Sequence, residues 1–186
     1  LPTSAGLALT REASKHHPRL AEVYEYARLS ETGKVAPARL FEGPNPPGFA
    51  HLLLASKLCS GNMNDRMASG GLSAGQLVDE MDQLAEAVDF LNAQAHETAG
   101  RKVRIMHLNL RPANFQFDAG KVLLGNFSSA QLLEGDEAPF PAGRLMPDNA
   151  YNAPEFIQEK LTRWSDQYQL AVAYLQMRTG KPSSGL

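Results

Sequence analysis

The stretch Ile105-Met-His-Leu-Asn-Leu-Arg-Pro-Ala-Asn-Phe-Gln-Phe117, continued by Leu124-Gly-Asn-Phe-Ser128, decides how the rest of this chain is read. Phe115-Gln-Phe117 and Val122-Leu-Leu124 are two short strand-forming runs, and Asp118-Ala-Gly120 between them is a hairpin signal. Before the hairpin, His107, Asn109, Arg111 and Asn114 are set among apolar residues, and a further amide, Asn126, follows it. A side-chain amide carries no negative charge and is no base near neutral pH. To a hard cation it offers only a neutral carbonyl oxygen. His107 reads as a buried structural histidine rather than a ligand.

Upstream of this stretch, Ser73 to about Ala95 is the clearest helix. Ser73 and Gln76 form a capping-box pattern, and Leu77, Met81, Leu84, Val88 and Leu91 recur at helical steps. Asp79, Glu80, Asp82 and Glu86 lie mainly off that stripe and read as a solvated face. Further upstream, a short helix is expected over Leu7 to Lys15, stopped by His17-Pro18 because the residue before a proline avoids the helical region. Leu20, Val23, Tyr24 and Tyr26 fit a strand, Glu31 to Lys34 a turn, and Phe49 to Ala55 a second short strand. Pro37 to Gly48, with four prolines and two glycines, is a loop.

Downstream, Ser128 to Asn152 shows no regular period. Trp164 onward is helical, with Ser165 able to cap it, Gly180 to close it and Pro182 to prevent continuation. Leu170 to Leu175 is apolar on nearly every side, so burial all round is expected.

The 186 residues suffice for one domain with a real core. A formal charge of −2 gives no basic footprint for nucleic acid. The longest aliphatic run, Leu52 to Ala55, is far too short to cross a bilayer, so no membrane segment is expected. The single cysteine, Cys59, excludes an internal disulfide and suits a reducing compartment; it reads as an inert residue, since no activating partner can be named for it. His16, His51 and His96 show no metal-ligand spacing.

Taken together and in order, these pieces resemble a protein kinase domain over residues 12 to 182. The family's catalytic loop reads His-Arg-Asp-Leu-Lys-Pro-x-Asn and its metal turn Asp-Phe-Gly. Here they read His107-Leu-Asn-Leu-Arg-Pro-Ala-Asn114 and Asn126-Phe-Ser128, while Ala153-Pro-Glu155 matches the family's Ala-Pro-Glu unchanged. The resemblance makes His17-Pro18 the junction between helix C and strand 4, and 49–55 strand 5. It places Ser56 at the gatekeeper position, makes Lys57 to Gly61 the hinge, and has Met63 to Met67 start helix D. Helices E and F are then the segments after Ser73 and Trp164. Ser-Asp-Gln-Tyr and Ala-Val-Ala-Tyr in helix F look most like bacterial serine/threonine kinases.

The resemblance implies an α+β, protein-kinase-like fold, mainly the helical C-lobe (57–186) with a reduced N-lobe (1–56). No glycine-rich loop or Val-Ala-x-Lys strand precedes residue 20, and the family's arginine partner for Glu155 belongs to the part beyond Pro182. Both catalytic aspartates stand as asparagine, so Asn109, Arg111, Asn114 and Asn126 are expected to be a degenerate, inactive set with no metal. Ser56, Lys57, Leu58, Cys59 and Gln116 would line a vestigial nucleotide cleft, with Gln116 weakening the adenine floor or bonding the hinge. The implied function is that of a pseudokinase, a cytoplasmic regulatory or scaffolding module without cofactor. Its partner would be another protein, the remainder of a longer chain, or a second copy. The alternative is a slow, atypical kinase using ATP and Mg²⁺ with a carboxylate from Asp118, Asp136 or Glu137, or a metal-independent nucleotide sensor.

Overall fold

The structure, a computed structural model, describes residues 4–37, 51–70, 72–140 and 149–181. Most of the proline-rich loop, residues 49 and 50 of the expected second strand, residues 141–148 of the irregular segment, and Pro182 lie outside the described residues.

Helix α1 (Ser4–Ala13) precedes an antiparallel sheet of β1 (Val23–Leu29), β2 (Val35–Pro37) and β3 (His51–Ser56), in the order β2-β1-β3. The helix stops two residues earlier than expected, and the Ser14 hydroxyl accepts from the Val23 amide at 3.0 Å, tying the helix end to the strand. Leu7 packs on Tyr26, with Leu52 and Leu54 beside them. Leu20 falls outside β1 and instead bridges to Leu124. Two backbone hydrogen bonds reinforce that bridge, Ala21 N to Leu124 O (2.8 Å) and Leu124 N to Arg19 O (2.7 Å). The first sheet is thereby fastened to the hairpin that carries the decisive stretch.

After β3 the chain runs through 57–60 into β4 (Gly61–Asn62) and α2 (Met63–Ala68), which Asn62 and Asp65 close with a capping box. Helix α3 spans Ala74–Asn92, and both halves of the expected Ser73–Gln76 capping box are formed. Leu77, Leu84, Ala87, Val88 and Leu91 are buried. Asp79, Asp82 and Glu86 are exposed as expected, but Glu80 is not on a solvated face: it is partly buried and accepts from Arg66 Nη1 at 2.7 Å. The helix ends at Asn92 rather than Ala95 because the chain turns at once into a hairpin, β5 (His96–Thr98) and β6 (Arg101–Met106). Its turn is Ala99-Gly100, with φ of 48° and 71°, the paired positive values that suit a two-residue hairpin loop.

The expected hairpin is β7 (Phe115–Asp118) and β8 (Lys121–Leu124), turned at Ala119 and Gly120. The segment after Ser128, expected to lack regular structure, contains two short strands. β9 (Gln131–Leu133) pairs with β6, and β10 (Glu137–Pro139) pairs with β11 (Lys160–Thr162). Helix α4 (Ser165–Thr179) closes at Gly180 with φ 67°. Ser165 does not cap it: its hydroxyl donates to Glu155 Oε1 at 2.6 Å, which leaves Trp164 as a cap without a side-chain hydrogen bond. Glu155 also accepts from Thr162 Oγ1 at 2.9 Å, so its carboxylate has partners within this chain. Helix α4 is not buried all round, since Leu175 is 47% exposed and Ala171 and Tyr168 also face outward.

The main core gathers Leu84, Leu91, Ile105, Leu110, Phe115, Leu124 and Phe127 between α3, the hairpin and α4. A smaller one holds Met106, Leu133, Phe140 and Phe156, the last two stacked at 4.1 Å. Among the described residues no helix is long and apolar enough to cross a membrane.

Candidate functional site

The loop at 107–114 is hung from α4. The carboxylate of Asp166, fully buried, accepts from the amides of His107 (2.7 Å) and Leu108 (2.8 Å), and Gln169 Oε1 accepts from the Leu110 amide at 3.0 Å. The Asn92 amide, turned so that its nitrogen faces the two acceptors around it, donates to the Ile105 carbonyl (2.9 Å) and Asp166 Oδ2 (3.1 Å). Leu108 sits at φ 58°, a conformation that costs a non-glycine residue and persists only where surrounding contacts hold it. Asn92, Asp166 and Gln169 were not among the residues expected from the sequence. Asp166 and Gln169 share one helical stripe of α4 with positions 170 and 173, so the pattern could mark them as polar residues on a buried face but not name what they bond; nothing in the pattern marked Asn92.

His107 is fully buried and edge-on to Phe127 at 5.1 Å. Its Nδ1 accepts from the Asn109 amide (3.3 Å), so Nε2 carries the proton and donates to the Gly125 carbonyl (3.0 Å). Burial pushes the imidazole down from about 6.5 to about 4, partly opposed by the Gly125 hydrogen bond. Burial likewise pushes the Asp166 carboxyl up to about 6, against the pull of its hydrogen bonds. The two act on stability with opposite signs. As pH falls from about 6.5 to about 4, the unfolded chain takes up the histidine proton first, and stability is lost. From about 6 down to the ordinary 3.8, the folded chain takes up the aspartate proton first, and stability is gained. The expected outcome is a nearly flat contribution from the pair, with a His107 ring resonance that does not titrate between pH 8 and pH 5. An NMR titration with a midpoint near the ordinary histidine value would contradict this.

The residues at the catalytic and metal positions of the resemblance are joined to one another. Ser128 Oγ donates to Asn126 Oδ1 (2.7 Å), Asn126 Nδ2 to Asn114 Oδ1 (3.0 Å), and Asn114 Nδ2 to the Asn109 carbonyl (2.7 Å). Asn126 adopts the left-handed conformation, φ 62° and ψ 67°, which asparagine tolerates better than most residues. Each amide oxygen at 114 and 126 therefore already accepts a hydrogen bond. Arg111 stands outside this chain of bonds; its buried Nε has no acceptor among the described residues.

The other expected group comes together separately. Ser56, Lys57, Leu58, Cys59 and Gln116 all line a cavity of about 470 Å³, with Ala113 and Asn62, a volume within the range of small-molecule sites. Asn109, Asn114 and Asn126 are not in its lining. Leu58 is 91% exposed, and Lys57 pairs with Asp118 at 2.6 Å. Burial and the nearby Asp118 carboxylate raise the Cys59 thiol above its ordinary value, which keeps it protonated and unreactive. Among the described residues Gln116 makes no hydrogen bond to 57–61 and its buried Oε1 has no donor; its amide lies against Gly125. A Cβ on Gly125 would stand 2.5 Å from Oε1 and 2.6 Å from Cδ, so a side chain there requires the end of Gln116 to move aside.

A magnesium ion, implied by the family resemblance, does not fit the donors present. It demands near-octahedral oxygen coordination and favours carboxylates. The three amides are neutral, those of Asn114 and Asn126 are bonded to each other, and among the described residues no three His, Cys, Asp or Glu side chains converge. The carboxylates considered as substitutes are engaged elsewhere: Asp118 with Lys57, Asp136 with Arg104 and Arg163, and Glu137 with Lys160.

Comparison with known proteins gives the fold alone. No protein-family model matches the chain, and no curated protein matches its sequence. The structure is similar to that of the kinase PK-1 of the Cydia pomonella granulovirus, with a TM-score of 0.63 over 96% of this chain at 12% identity. The fold is therefore kinase-like. The match takes in 55% of the viral protein, so the chain spans about half the length of that kinase.

Proposed function

We propose that this chain is a kinase-like domain that performs no phosphotransfer and serves as a regulatory or scaffolding module for a protein partner. In this reading residues 1–56 are what corresponds to an N-lobe, and 57–186 follow a C-lobe as far as its sixth helix. The observation that carries the proposal is the hydrogen-bonded run Ser128–Asn126–Asn114–Asn109. Where phosphotransfer needs a charged proton acceptor and two metal-binding oxygens, Asn109 offers a neutral amide, and Asn114 and Asn126 offer neutral amides already bonded to each other. His107, Asp166 and Gln169 keep the loop in place without any chemistry passing through it.

A second reading rests on the hinge cavity, whose volume suits a nucleotide held without metal. Thermal unfolding with ATP or ADP, each with and without Mg²⁺ and Mn²⁺, separates the two. A ligand at a hundredfold excess over its Kd stabilises by about 2.7 kcal/mol. The expected outcome is no metal-dependent rise in the midpoint at millimolar nucleotide. A metal-independent rise favours the sensor; a rise that requires metal would overturn the reading and call for a phosphotransfer assay.

A further inference from the structure

Burial alternates along β7. Phe115 and Phe117 turn into the main core, so Gln116 between them projects from the opposite face of the strand. On that face it lines the hinge cavity of about 470 Å³ together with Ser56 to Cys59, Asn62 and Ala113. Its far end reaches from this wall to the turn after β8. There the carboxamide lies over the bare Cα of Gly125, where a Cβ would meet Oε1, Cδ and Nε2 at 2.5, 2.6 and 3.0 Å.

Gly125 offers the carboxamide nothing in return. Its N–H donates to the Asn114 carbonyl (3.0 Å), and its carbonyl accepts from His107 Nε2 (3.0 Å). Gln116 Oε1 is left buried with no donor among the described residues, which is unfavourable for a polar atom. Fit over a glycine holds this pose, not a hydrogen bond. Rotation about the glutamine's own torsions would return the oxygen to water. Immediately beyond Gly125 stands Asn126, bonded to Asn114 at 3.0 Å. Neither asparagine lines the cavity, although Ala113, the neighbour of Asn114, does.

We infer that Gln116 is an autoinhibitory wedge. With its carboxamide over Gly125, the hinge cavity and the run of amides are two compartments. With it withdrawn they become one cleft, long enough for a nucleoside diphosphate held without metal. The inference rests on the pseudokinase reading and deepens it, by naming a residue that keeps nucleotide out.

The probe is ADP in the presence of a chelator, followed by thermal unfolding and titration calorimetry on the whole chain. The parent chain is expected to show no saturable rise in midpoint at millimolar ADP. Gln116→Ala removes the wedge and should bind at least about tenfold more tightly than the parent. Gln116→Thr removes the same carboxamide with a residue suited to a strand, and should show the same gain if the alanine variant folds poorly. Gln116→Met keeps the length without the orphaned oxygen; it should respond to ADP as the parent does, with a midpoint no lower. No rise with either shortened variant would overturn the inference and leave the pseudokinase reading standing. An equal rise in the parent chain, or one with Gln116→Met matching that of Gln116→Ala, would overturn it as well. A rise in the parent that requires Mg²⁺ would sink the pseudokinase reading; the wedge then stands if Gln116→Ala still binds at least about tenfold more tightly, and falls if it does not.

Discussion

Asp166→Ala should unfold this domain more readily than any surface change, with a loss of about 2–5 kcal/mol. The carboxylate is fully buried and accepts from two backbone amides, His107 N and Leu108 N, that have no other partner among the described residues. Truncation leaves both donors stranded, at about 1–3 kcal/mol each. It also releases Leu108, whose φ of 58° is held by that bond. Asp166→Asn keeps one acceptor oxygen and should lose roughly half as much. Urea unfolding followed by circular dichroism measures both. Equal stability of Asp166→Ala and the parent chain would mean that the loop is held by packing alone.

Arg28→Met should move stability the other way. Arg28 lies one residue from the end of β1, opposite Ala36 and Leu52, and is 1% exposed. Its Nε and Nη1 have no acceptor among the described residues, and burial lowers the guanidinium from its usual range. A guanidinium cannot shed its proton to escape this. Replacing buried charged groups with apolar side chains of similar volume typically raises stability by about 1–4 kcal/mol. Methionine fits beside Leu52, Tyr26 and Leu7. The expected result is a rise of several degrees in the melting midpoint, read by calorimetry. A fall would show that the guanidinium has an anionic partner in solution.

What the sequence made legible was local. The Ser73–Gln76 cap and the four-three spacing after it define α3, and Asp118-Ala-Gly120 defines a hairpin, because both signals act within a few residues. The strands β9, β10 and β11 escaped notice because each has three residues and exists only through a partner distant in the chain. Asp166 and Gln169 reach loop amides 58 and 59 positions away; no period or cap encodes such a bond. Ser165 failed as a predicted cap for a related reason, since Glu155 takes its hydroxyl. Glu80 sits beside charged neighbours on α3, yet Arg66, from a different helix, draws it in. The degenerate amides were legible one by one. That Asn114 and Asn126 bond to each other depends on the left-handed turn at Asn126, which only the fold supplies.

The close approach of Gln116 to Gly125 ties the pose of one residue to the bareness of the other. A methyl group at 125 would stand 2.5 Å from Gln116 Oε1, so it could be added only with the end of that side chain swung aside. Because Gln116 lines the cavity beside Ser56 to Cys59, an exchange at 125, which is not in that lining, would be felt there through the displaced amide.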